Sequence, residues 1–220
     1  MEYLNLSLRE AEISDVDAIT AICLAAMPAS ELWHYRYCNA VQYPEDHHKY
    51  TRERFRIRTD KATRGDFLVL VVEALENDVP AIVGYSVWQG PDASWAVGPS
   101  KSSQRRSSTP QPSDPAGGPS REVSQSFSLK DSGRMDADPA RLQAWRETTA
   151  RVKREVFDAN LGRGQLDLIQ RAVLPAYQKR GIGTFMLKWA CVKLSSTPGP
   201  LHQFALRSDV NGMRIRALGY

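Results

Sequence analysis

Gln178-Lys179-Arg180-Gly181-Ile182-Gly183 decides how this chain is read. An apolar run, Leu166 to Leu174, leads into it through Pro175 and Tyr177, and a helical pattern, Thr184 to Leu194, follows directly. Strand, glycine turn and helix in that order build an anion site, because the first N–H groups of a helix have no internal partners and point at the turn. Gly181 and Gly183 carry no side chain, so a phosphate can approach the main chain, and both residues tolerate positive φ. Lys179 and Arg180 add positive charge. A diphosphate is the expected guest. Two commoner phosphate motifs are excluded. No Gly-x-x-x-x-Gly-Lys-Ser/Thr occurs, and the third glycine of a dinucleotide fingerprint falls at Met186, far from any early βαβ unit.

Outward from this stretch, period-two and period-3.6 patterns alternate. Leu4 to Arg9 alternates as a strand, and Ser14-Asp15 offers an N-cap to a helix with Val16, Ile19, Ile22, Cys23 and Met27 on one face, stopped by Pro28. A second helix is expected over Glu45 to Lys61. Phe67 to Ala74 and Ala81 to Trp88 read as a hairpin around the turn cluster Asn77-Asp78-Val79-Pro80. Residues 91–137 are dominated by Ser, Pro, Gly and Arg and are expected to be disordered, since they cannot bury enough apolar surface to offset chain entropy. This insertion is either a tolerated loop or a phosphorylatable segment beside Arg105-Arg106. Asp138-Pro139 restarts order with a cap and an N1 proline, opening a helix to about Asn160. Leu201 to Leu206 reads as a strand and Asn211 to Ala217 as a short helix.

The bulk properties are those of a soluble globular chain. Its 220 residues, 42% hydrophobic and 25% charged, leave room for one domain plus an insert. A net charge of +4, spread along the chain, reads as a solvated face and not as a nucleic-acid footprint. No run reaches membrane-spanning length and no leading apolar segment suggests secretion. Three cysteines, Cys23, Cys38 and Cys191, lack metal or redox spacing and point to a reducing compartment, the cytoplasm or alternatively the nucleus. No metal site is expected. His47 and His48 stand in a charged stretch and are expected at the surface.

The unbroken Val173-Leu174-Pro175-Ala176-Tyr177-Gln178-Lys179-Arg180-Gly181-Ile182-Gly183 resembles the acetyl-CoA-binding segment of the GNAT superfamily of N-acetyltransferases. Leu8-Arg9-Glu10-Ala11 before an apolar helix, Gly84-Tyr85-Ser86-Val87-Trp88, and the terminal Leu218-Gly219-Tyr220 resemble further segments of that family. The resemblance covers residues 4–90 loosely and 166–220 well. It implies an α/β (α+β) fold with a mixed, mostly antiparallel central sheet flanked by helices, the family's C-terminal strand missing. Residues 1–90 and 138–220 would form the N- and C-terminal parts of one acetyltransferase domain, the latter carrying the acetyl-CoA motif.

The activity implied is transfer of an acetyl group from acetyl-CoA to an amine, by direct attack in a ternary complex. The acceptor, a small molecule or a peptide or protein, is set by divergent helices and is not legible, nor is the oligomeric state. Gln178, Lys179, Arg180, Gly181, Ile182, Gly183 and Thr184 would hold the diphosphate, and the main chain of Ala172 and Val173, on a strand splayed from its neighbour, the pantetheine arm. The Val173 N–H is the candidate for polarising the thioester carbonyl. Asp167, eleven positions before Gln178, is the candidate base; by alternation it would share a face with Ile169, Arg171 and Val173, where pairing with Arg171 is the structural alternative. Trp33, His34, Tyr35 and Tyr37 would either line the acceptor cleft or serve as core. Two departures stand out: Arg171 replaces an apolar residue, and no tyrosine matches the family's general acid. They keep open an alternative, a catalytically impaired CoA-binding or protein-interaction module of the same fold.

Overall fold

The computed structural model describes residues 5–76, 78–90, 133–159, 165–196 and 203–206. Strands β1 (Leu6–Glu10), β2 (Phe67–Glu76), β3 (Val79–Gln89), β4 (Gln165–Val173) and β5 (Gln203–Leu206) form one sheet in that order. The first four are antiparallel neighbours and β5 runs parallel to β4. Helices α1 (Val16–Ala26), α2 (Glu31–Arg36), α3 (Pro44–Thr59), α4 (Pro139–Val152) and α5 (Ile182–Ser196) flank the sheet. The chain is thus a mixed α/β fold with a mostly antiparallel sheet. The expected helix 211–217 and the terminal Leu218-Gly219-Tyr220 lie outside the described residues.

Strand β2 is apolar at almost every position because both of its faces are covered. Val69 and Val71 pack with Ile19, Phe55 and Tyr85 on the α1/α3 face. Leu68, Leu70, Val72 and Ala74 face α5, against Trp88, Leu187 and Met186. Each fully buried side chain of this kind contributes about 1.5–3 kcal/mol. The hairpin is tighter than the sequence suggested: Glu76 pairs with Val79 and Asp78 takes φ +65°, so Val79 and Pro80 belong to β3 and not to the turn.

Two irregularities re-aim side chains. Val83 is an extra residue in β3, between Gly84 opposite Val72 and Ile82 opposite Glu73. Ile169 is an extra residue in β4, between Leu168 opposite Trp88 and Gln170 opposite Val87. Near the first bulge Gly84 is required: a Cβ there would stand 3.1 Å from the Ala172 carbonyl oxygen and 3.5 Å from Ile182.

Helix α1 buries Val16, Ile19, Ile22 and Cys23, with Met27 just beyond its end, as the pattern required. Asp15, however, does not cap it. Its carboxylate accepts from Arg9 at 2.6 and 3.0 Å and from the Glu12 N–H at 2.7 Å, tying β1 to the helix start. Asp138 does cap α4, accepting from the N–H groups of Ala140 and Arg141 at 2.7 and 3.2 Å, with Pro139 at the first helical position. The helix continues as a wider π-helical turn, Lys153–Asp158.

Residues 91–132 lie outside the described part, but 133–137, expected to be disordered, are folded against α3. Asp136 and Ala137 are buried. A composition boundary averages over neighbours, whereas this one is set by a single ion-paired carboxylate.

Candidate functional site

Strand β4 ends at Val173, and Leu174 is anchored by its N–H to the Val83 carbonyl at 2.8 Å. A 3₁₀ turn, Pro175–Tyr177, then reverses the chain, and the Gln178 side chain donates back to the Val173 carbonyl at 3.0 Å. Lys179 at φ +61° and Gly181 at φ +83° turn successive N–H groups to one side, the geometry of an anion nest. Gly183, which tolerates a positive φ, does not adopt one, whereas the non-glycine Lys179 does. Phe185 is the first residue of α5 whose N–H meets a main-chain carbonyl, that of Gly181 at 2.9 Å. Among the described residues, the N–H groups of Ile182, Gly183 and Thr184 therefore meet no main-chain carbonyl at the positive end of a 15-residue helix. Lys179 and Arg180 are exposed beside them, the Arg180 guanidinium 5.2 Å from the centre of the Tyr177 ring. Nothing lies within 4 Å of a Cβ placed on Gly181, which leaves the main chain open to a ligand.

Arg171 completes this side. Its Nη1 donates to the Gly183 carbonyl at 3.1 Å, and a Gly183 Cβ would stand 3.6 Å from the guanidinium carbon. Burial lowers its pKa, and among the described residues no carboxylate is ion-paired with it. Among the described residues, β5 pairs with β4 from Gln165 to Leu168.

Asp167 does not share a face with Arg171 and Val173. The Ile169 bulge shifts the alternation by one residue. Leu166, Leu168, Arg171 and Val173 face α5, whereas Asp167, Gln170 and Ala172 face α1 and α4. The Asp167 partner is accordingly Lys153, at 2.5 Å from the π-helical turn, and not Arg171. Its other oxygen, Oδ1, is buried without a hydrogen bond. It stands five positions before Ala172 on the strand, roughly 16 Å of extended chain.

The α1/α3 face carries a second constellation that the sequence reading missed. Tyr37 is buried at its centre, with the guanidinium carbons of Arg36, Arg54 and Arg134 at 5.5, 5.7 and 5.3 Å from its ring centre. Arg54 donates from Nη1 to the Tyr37 hydroxyl. Burial acts to raise the Tyr37 pKa, but Arg54, Arg36 and Arg134 outweigh it and hold the phenol below its ordinary value. Arg58, against Phe67 at 4.8 Å, is pushed down to about 10 by burial and by Arg54. Asp136 accepts from Arg134 through both oxygens at 2.8 Å and bonds His47 Nδ1 at 2.7 Å. Burial opposes its charge, yet these partners lower its pKa to about 2.

His47 is thus buried, not exposed as its charged surroundings suggested. Trp33 and Tyr37 are buried too, while Tyr35 is exposed and the exposed His34 bonds the Pro28 carbonyl at 2.7 Å. The signal for this cluster was present in α3: His47, Tyr50, Thr51, Arg54, Phe55 and Arg58 recur at spacings of three and four and share one helix face. Phe55 meets Tyr85 at 5.1 Å between ring centres, and the Tyr85 hydroxyl accepts from Gln170 of β4 at 2.8 Å. The cluster therefore abuts the strand that leads into the glycine turn.

No family model matches the chain, and no curated protein matches it. Among the described residues no helix is long and apolar enough to cross a membrane, and no group of three or more His, Cys, Asp and Glu side chains could hold a metal ion.

Proposed function

We propose that the protein is a GNAT-like N-acetyltransferase that moves an acetyl group from acetyl-CoA to an amine. The observation that carries the reading is the junction of β4 and α5: a nest between Lys179 and Gly181, opening onto three helix N–H groups that meet no main-chain carbonyl among the described residues. Main-chain donors at a helix N-terminus suit a diphosphate. Gln178, Lys179, Arg180, Ile182, Gly183 and Thr184 surround it, and Arg171 adds a cation from below. The main chain of Ala172 and Val173, which leads into this turn, would run along the pantetheine arm. Acetyl-CoA supplies the activated acyl group; the chain's part is to hold it, exclude water and accept the amine proton.

A thermal melt with acetyl-CoA, and with NAD and ATP as controls, tests this directly. A ligand that binds only the folded state raises the melting temperature. We expect a shift specific to the CoA ester, abolished when Gly181 and Gly183 are both replaced by valine. An unchanged shift in that double variant would sink the site assignment.

One observation favours a second reading, CoA binding without turnover. The candidate base Asp167 is ion-paired with Lys153 at 2.5 Å and stands several residues from the Val173 main chain. A CoA-specific melting shift, with no acetylation across a broad amine panel, would select that reading.

A further inference from the structure

Among the described residues, the Arg54 guanidinium on the α1/α3 face has two buried nitrogens without a hydrogen-bond partner. Nη1 is used by the Tyr37 hydroxyl, while Nε and Nη2 are buried and have no hydrogen-bond partner. These two nitrogens form one edge of the guanidinium, with parallel N–H bonds spaced to meet the two oxygens of a carboxylate. The rings of Trp33, Phe55 and Tyr37 stand 5.5, 5.6 and 5.7 Å from the guanidinium carbon. They offer it cation–π contact but accept no N–H bond along that edge. Around it, Arg36, Arg58 and Arg134 add positive charge, and Asp136 is ion-paired with Arg134 and His47. That carboxylate is committed to His47 and Arg134. Buried polar groups are nearly always partnered, and an exception calls for a missing partner.

We infer that the amine acceptor is a small amino acid whose carboxylate lodges side-on against Nε and Nη2 of Arg54. The inference rests on the acetyltransferase reading for the amine, but the carboxylate site stands on the arginine alone. Its position fits an acceptor: Phe55, next to Arg54 in α3, touches Tyr85, which is bonded to Gln170 on β4, two residues before Ala172. An amino acid held there by its carboxylate would direct its amine toward the strand that carries the candidate thioester contacts. Because the free edge is buried, entry requires side chains packed over it to move. The enclosure favours a flat, singly charged carboxylate over a phosphate dianion, which needs donors on more sides.

Melting curves of the whole chain, with and without CoA, with each common L-amino acid or its C-terminal amide, test the site. Sodium phosphate is the control. At least one amino acid should raise the melting temperature by several degrees at saturation, and its amide, with the same side chain and amine, should not. In Arg54→Met that shift should vanish while the melting temperature without ligand holds or rises, because a buried charge has been removed. Should that variant fail to melt cooperatively, Arg54→Gln, which keeps a donor for Tyr37, is read in its place; the acid-against-amide comparison needs no variant. Equal shifts by acid and amide, a shift by phosphate alone, no shift by any amino acid, or a shift that survives both substitutions would each overturn the proposal. An amino-acid shift without an acetyl-CoA shift would keep this site and remove the acetyltransferase reading. The reverse result would do the opposite.

Discussion

The turn before α5 and the arginine cluster beside α3 both gather positive charge against β4, and they do so by opposite means. Within the turn, the N–H groups of Ile182, Gly183 and Thr184 meet no main-chain carbonyl among the described residues, and Lys179 and Arg180 are exposed beside them. In the cluster, arginines from α2, α3 and the segment before α4 converge on Tyr37, which is buried together with Trp33, His47 and Asp136. The first arrangement costs little when empty, since water satisfies the open donors. The second carries a desolvation penalty in every state that lacks a partner for each charge. Changes in the turn should therefore register mainly in binding, and changes in the cluster mainly in stability.

The sharpest way to break that contrast is Asp136→Ala. It removes the carboxylate shared by His47 and Arg134, and we expect a loss of about 3–5 kcal/mol in urea unfolding. A loss below 1 kcal/mol would mean that the cluster is not a stability element. Acid gives a second, graded test. The Asp136 pKa is lowered from 3.8 to about 2, so its contribution is present above pH 3.8 and is lost as the pH falls from there through about 2. The difference corresponds to about 2 kcal/mol, and Asp136→Asn should flatten the stability profile across that window. A profile equally steep in the variant would assign acid sensitivity to other carboxylates.

The turn should respond more weakly in stability. Gly181→Ala places a side chain at φ +83° and should cost about 1–2 kcal/mol, measured by the same unfolding curves. Gly183→Ala has the smallest expected effect. Its φ is not in the left-handed region, the new Cβ would meet Arg171 at an ordinary 3.6 Å, and alanine is the better helix former. A gain of up to about 1 kcal/mol is expected, set against weaker binding of any anion that approaches this main chain. A loss comparable to that of Gly181→Ala would show that the two glycines are required for the same backbone reason.

Much of the fold was legible because it is local. Periods of two and 3.6 placed the strands and helices, Asp138-Pro139 announced a capped helix, and the glycine turn could be read from adjacent residues. The same reading put Asp167 on the wrong face, because strict alternation knows nothing of the Ile169 bulge that the pairing of β4 with β3 imposes. It left His47 at the surface, because its partner Asp136 lies 89 residues away in a stretch whose composition suggested disorder.

By itself, then, the sequence determined those features whose causes lie within a few residues: element type, capping, and the turn that opens main-chain donors before α5. Only the tertiary structure decided which buried charges find partners. Asp136 meets His47 and Arg134, Asp167 meets Lys153, and the outer edge of Arg54 meets none. Backbone hydrogen bonding follows local dihedral angles, whereas the cost of a buried charge depends on what the rest of the chain brings within 3 Å of it.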